Sequence, residues 1–209
     1  MNASKTILEY LAELSSSSPT PGGGNVAAFC GALASSLGIM VCNLTIGKKK
    51  YADVESEIIS LKEKLEDYQK KFLELAQKDN EAFNKVMEAM KLPKENEEQI
   101  EIRSKKIEEA TLHAAEIPSE VIKYCSSILP LLKIIIDKGN KNSISDAGVA
   151  VSLIKSSAQS AYLNVLINCK SLNNQTIASE FYKSVQVIFD EVQKTTDLYL
   201  NIITSLLKS

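Results

Sequence analysis

Residues Ser15–Tyr51 read SSSSPTPGGGNVAAFCGALASSLGIMVCNLTIGKKKY. A proline-containing turn runs into Gly22, Gly23 and Gly24. A long uncharged segment follows, and it ends in Lys48, Lys49 and Lys50. Val26 to Gly47 is long enough to span a bilayer. It is also rich in Ala, Gly and Ser, and a helix apolar on every side is normally a buried one. The expectation is a central helix of a helical bundle, with a small membrane protein as the competing reading. Small residues at Gly31, Ala34, Ser35 and Gly38 make a flat face that suits close helix packing or a two-fold interface.

Working outward, strand signals are nearly absent and the periodic segments are long. Seven helices are expected, near 3–15, 25–46, 52–91, 95–117, 119–138, 144–170 and 174–207. Pro93 and Pro118 punctuate the middle. Gly139 ends the fifth helix, and Ser143 or Ser145 can cap the sixth. No linker or repeat divides the chain, so one all-α domain over 1–209 is expected.

The bulk numbers exclude several classes. With 24 basic and 26 acidic residues the net charge is −2, which gives no basic field for nucleic acid. Cys30, Cys42, Cys125 and Cys169 are widely spaced, and His113 is the only histidine, so no metal site is expected. The cysteines read as buried thiols in a reducing cytoplasm. The N-terminus lacks the pattern of a signal peptide, because Glu9 and Glu13 interrupt its apolar residues.

The third helix carries a near-heptad stripe: Ile58, Leu61, Leu65, Tyr68, Phe72, Leu75, then Ala82 or Phe83, Val86 and Met90. Asp79 stands where the stripe expects an apolar side chain. It is either an edge residue bonded to a nearby loop or a carboxylate held in a cleft with a raised pKa, ready for proton transfer. Asn164 and Asn168 lie four apart on the sixth helix, on a small-residue face. They can read the polar edge of a heterocycle, or satisfy each other and nearby backbone.

The glycine turn is open to two readings as well. Consecutive glycines before a helix allow close backbone approach, and the helix N-terminus offers free N–H donors, so the turn can cradle an anion or heterocycle. It can equally be a flexible turn, with the lysines as partners of the helix C-terminus. No G-K-[ST] follows and no strand precedes, which excludes the P-loop and the dinucleotide fingerprint.

PTPGGGNVAA, NLTIGKKKY, DNEAF, SDAGVAVSLIKSSAQSAYLNVLIN and the proline of AAEIP together resemble the formiminotetrahydrofolate cyclodeaminase family. That family includes the cyclodeaminase half of formiminotransferase-cyclodeaminase and stand-alone bacterial proteins, some of them methenyltetrahydrofolate cyclohydrolases. The resemblance covers nearly the whole chain, in order, and leaves no room for the transferase half. It implies a cyclodeaminase-like helical bundle that dimerises. Asp79 would be the catalytic residue. Pro21, Gly22, Gly23, Gly24 and Asn25 would face the folate, with Asn164, Ser145 and Asp146 nearby. Lys48, Lys49 and Lys50 would meet the polyglutamate tail. Asn25 replaces the small hydroxyl residue of many relatives, and SLNN (171–174) lacks their acidic residues.

The implied reaction converts 5-formiminotetrahydrofolate to 5,10-methenyltetrahydrofolate and ammonia, with no cofactor beyond the folate substrate. Small faces that pack on a flat ligand and limit water entry favour this over hydrolysis of the methenyl ring. A non-catalytic folate-binding or scaffold protein is the remaining alternative.

Overall fold

The computed structural model describes residues 5–208. They form six α-helices and two 3-10 turns: α1 (Ile7–Leu14), α2 (Gly23–Thr45), a turn at Lys49–Val54, α3 (Glu55–Met90), α4 (Glu97–Lys138), a turn at Lys141–Ser143, α5 (Ile144–Ser171) and α6 (Gln175–Lys208). No strand occurs among the described residues. The expected start of the first helix, residues 3 and 4, lies outside them.

From α2 onward the helices alternate in direction. Gly23 meets Asn164 at one end of α2, while Thr45 Oγ1 accepts from the Asn140 N–H at the other, so α2 and α5 are antiparallel. Gly31 against Phe72 and Gly38 against Leu65 set α3 antiparallel to α2. A Cβ on Gly31 would lie 2.5 Å from the Phe72 ring. The small face of α2 is therefore used inside the protomer, where it lets α3 and α4 approach. The core lies between α2, α3, α4 and α5, with Phe72, Ile58, Leu65, Ile122, Ile128 and Ile154 fully buried. α6 closes the far side through Tyr162 stacked on Phe189 at 4.1 Å. Among the described residues α2 alone is long and apolar enough to cross a membrane, and 56% of its most apolar window is buried in this core.

Two expectations are corrected. The chain does not break at Pro118, and α4 runs unbroken through Pro118 and Pro130. A helical proline frees the carbonyl four residues earlier, here Ala114. Asn168 Nδ2 donates to that oxygen at 3.1 Å, so α5 supplies the bond that Pro118 cannot. The second correction is at α5, whose N-cap Ser143 makes no side-chain capping bond. α1, by contrast, starts with a full capping box between Thr6 and Glu9.

Candidate active site

The α3 stripe is buried at Ile58, Leu61, Leu65, Phe72, Leu75 and Ala76; beyond Asp79 only the small Ala82 and Ala89 stay buried. Phe83, Val86, Met87 and Met90 then line one wall of a cleft of about 360 Å³. Asn164, Ile167, Asn168 and Ser171 of α5 form the facing wall. Gly22, Gly23 and Gly24 border it, with Pro19 and Thr20, and α4 contributes Thr111 and Ala114. Asp79 is the only ionisable side chain among these lining residues.

Its position follows from α2. That helix begins at Gly23 with Gly22 as N-cap, and glycine has no side chain to satisfy the first N–H groups. The Asp79 carboxylate takes that place and accepts from the Asn25 N–H. A helix N-terminus ordinarily favours a carboxylate anion. Burial outweighs that bond, and the pKa rises from 3.8 to about 6. Such a group is mostly ionised at neutral pH yet exchanges protons readily.

Asn25 acts from behind. It is fully buried. Its Oδ1 accepts from the Tyr10 hydroxyl at 2.8 Å, and its Nδ2 donates to the Ala76 carbonyl at 2.6 Å. One side chain thus ties α1, α2 and α3 together, one turn before Asp79. The side chain does not line the cleft, so the expected substrate contact becomes a positioning residue. Pro21, which follows a cis peptide bond, is likewise buried and outside the lining.

Asn164 lines the cleft beside Gly23. Its Nδ2 donates to the Ser160 carbonyl at 2.9 Å, which leaves Oδ1 for a ligand. Asn168 spends a donor on Ala114, as described. The protomer does not bring the remaining candidates to the cleft. Lys48, Lys49 and Lys50 follow the far end of α2, about 34 Å away at the helical rise of about 1.5 Å per residue. Ser145 and Asp146 start α5 at that same end. Phe83, Met87 and Met90 were legible as positions four, eight and eleven beyond Asp79; Thr111, inside a continuous α4, carried no signal. Among the described residues no group of three His, Cys, Asp or Glu side chains is placed to hold a metal.

A lone, half-hidden carboxylate between glycine backbone and an apolar, amide-bearing wall suits proton transfer on a flat, partly apolar ligand. The formiminotransferase-cyclodeaminase family model matches residues 6–187. The methenyltetrahydrofolate cyclohydrolase of Methylorubrum extorquens is 42% identical over 191 residues, 91% of this chain and 92% of that one. The formimidoyltransferase-cyclodeaminase of Gallus gallus is 29% identical over 183 residues, and the chain spans only 34% of its length. The crystal structure of formiminotetrahydrofolate cyclodeaminase from Thermotoga maritima superposes with a TM-score of 0.80 at 32% identity, covering 96% of this chain and 98% of that one. The chain belongs to the formiminotransferase-cyclodeaminase family of folate one-carbon enzymes.

Proposed function

We propose that the cleft binds 5,10-methenyltetrahydrofolate and that the protein hydrolyses it to 10-formyltetrahydrofolate. The observation that carries this is Asp79, a single carboxylate with a pKa of about 6 on the wall of an open cleft. Ionised at neutral pH, it takes a proton from water as the oxygen bonds to the methenyl carbon. It then returns the proton to N5 as the C–N5 bond breaks. The added hydroxyl loses its proton to solvent and becomes the formyl oxygen. Carbon keeps its oxidation level, so no redox cofactor enters.

Two points support hydrolysis over the cyclodeamination favoured from sequence. Met87, Met90 and Ile167 on the cleft walls are exposed, so water reaches the site. The whole-length similarity to the Methylorubrum cyclohydrolase is also higher than that to the named cyclodeaminases.

Cyclodeamination is the second reading, supported by the Thermotoga structure. There N10 attacks the formimino carbon, its proton passes through Asp79 to the departing nitrogen, and ammonia leaves. The site and the folate are the same in both readings. Neither asks for nucleic acid or a membrane, and both suit a cytoplasmic enzyme.

The deciding experiment is a ratio on one preparation. kcat/KM for 5,10-methenyltetrahydrofolate, followed by loss of its absorbance, is compared with that for 5-formiminotetrahydrofolate, followed by ammonia release. Faster methenyl hydrolysis with little ammonia is expected. Faster ammonia release reverses the assignment. Tight folate binding without either turnover leaves a non-catalytic folate-binding module.

A further inference from the structure

Thr111 carries the one buried hydroxyl on the cleft wall. It lies inside α4 and is 3% exposed, yet it lines the cleft. The other two buried threonines close their hydroxyls on their own helix. Thr45 donates to the Val41 carbonyl at 2.7 Å, and Thr196 to the Val192 carbonyl at 2.9 Å. The matching acceptor for Thr111 is the Ile107 carbonyl, but that bond is not made. The Thr111 hydroxyl has no hydrogen-bond partner among the described residues. Nor is it sealed off. Among the described residues that are not exposed, the only buried side-chain nitrogen or oxygen without a partner is Asn80 Oδ1. The Thr111 oxygen therefore touches open space, and the space that Thr111 borders is the cleft.

Its level in the cleft follows from helix pairing. Tyr124 packs edge-on against Tyr68 and Phe72, and Arg103 donates to the Met90 carbonyl, so α4 runs antiparallel to α3. Counting from either contact sets Thr111 level with Phe83, one helical turn beyond Asp79. That is about 6 Å along the axis at the rise of an α-helix. The lining nearest in register is apolar: Phe83 and Val86 on α3, and Ala114 on α4. Asn168 is close by, but it spends a donor on the Ala114 carbonyl. The back wall thus holds one free hydroxyl in a largely apolar setting.

We propose that Thr111 is a specificity-determining residue whose hydroxyl bonds to the polar edge of the pterin, which lies flat against Phe83 with that edge toward α4. The proposal rests on the folate reading of the cleft. Of the two ring systems in the folate, only the pterin carries polar atoms along its ring edge, a carbonyl oxygen and N–H groups. A hydroxyl both donates and accepts, so it can meet either. An aminobenzoyl ring would present C–H edges to the back wall. It would displace water from the hydroxyl and leave it unpaired, which costs more than a made bond returns. The reach also agrees. Two fused six-membered rings are about as long as one helical turn. With the pyrimidine edge on Thr111, the second ring brings N5 back toward Asp79.

The test compares Thr111→Val, which removes the hydroxyl and keeps the shape, with Thr111→Ser, which keeps the hydroxyl. With 5,10-methenyltetrahydrofolate, T111V should raise KM about tenfold, the loss of one hydrogen bond, while kcat changes little. T111S should recover most of that loss. Because the hydroxyl has no partner in the free protein, T111V should melt no lower than wild type. Normal turnover with an unchanged KM in T111V overturns the contact and leaves the folate reading standing. A lowered melting midpoint in T111V that T111S restores assigns the hydroxyl to the fold instead. The second arm identifies the ring, from a crystal structure of D79N with 5,10-methenyltetrahydrofolate. A pterin oxygen or nitrogen within hydrogen-bond distance of Thr111 Oγ1 is expected. The aminobenzoyl ring at that place, or water alone, overturns the assignment. A wild type that neither binds nor turns over folate sinks the folate reading and the pterin contact together.

Discussion

Asp79 occupies the space where a side chain on Gly24 would begin. A Cβ built on Gly24 would lie 2.0 Å from Asp79 Oδ1 and 2.6 Å from its carboxyl carbon. The glycine is needed for closeness, since the only positive φ among the described residues' glycines is at Gly47. With Gly24 bare, the carboxylate reaches the first turn of α2 and accepts the Asn25 N–H.

Gly24→Ala should therefore fold but work poorly. The clash is with the end of a side chain, which can swing into the cleft. A displacement of about 1 Å at a reacting group costs about 100-fold in rate. Turnover should drop by about that factor while the thermal midpoint stays within a few degrees. Near-wild-type turnover would show that Asp79 does not work from this position.

Asp79→Asn should remove the proton acceptor and keep the shape. Turnover should fall about 100- to 10,000-fold with folate binding retained, as judged by calorimetry. In the wild type, kcat/KM should decline below about pH 6, where Asp79 becomes protonated. A flat profile from pH 5 to 7 contradicts the assignment of Asp79 as base.

The same carboxylate should weaken the fold. Its pKa is raised on folding, so the folded protein prefers the neutral acid. Below the ordinary value of 3.8 the group is neutral in both states and costs nothing; above about 6 it is ionised in both and the full cost applies. The variant Asp79→Asn should thus gain on wild type as pH rises from 4 through 6, by up to about 3 kcal/mol at pH 8. Denaturant melts at pH 4 and pH 8 measure it. An equal difference at both values would place the effect outside ionisation.

The all-helical fold and the Asp79 anomaly were legible because both rest on periodicity. Asp79 interrupts a stripe, and a stripe is a local property. Helix boundaries at Pro118 were not legible, because the bond that rescues α4 comes from Asn168, 50 residues later in the chain. The cleft was half legible for the same reason. Gly22, Gly23, Gly24 and Asn164 line it as expected. Lys48, Lys49, Lys50, Ser145 and Asp146 were tied to the ligand only by the family resemblance; within the protomer the length of α2 separates them from Asp79. Asn25 is polar and stands beside the turn, so sequence assigned it to the ligand. Its direction, set by Tyr10 and Ala76, is tertiary information.

The pairing of Asn168 with Ala114 makes a last prediction, since it decides between two roles for that asparagine. If Asn168 mainly satisfies the carbonyl freed by Pro118, the two residues are coupled although they do not belong to one element. Asn168→Ala alone leaves the Ala114 oxygen short of a donor and should cost about 1–3 kcal/mol. Pro118→Ala restores an N–H four residues after Ala114, so the helix can satisfy its own carbonyl. In that background the Asn168→Ala change should cost markedly less, giving a coupling of about 1 kcal/mol in a double-mutant cycle. Folding stability is the quantity to measure, with folate KM followed in the same four proteins. Additive stabilities with a KM rise that persists in the Pro118→Ala background would assign Asn168 to the ligand. Strong coupling with KM nearly constant assigns it to α4, and leaves Asn164 as the amide that faces the folate.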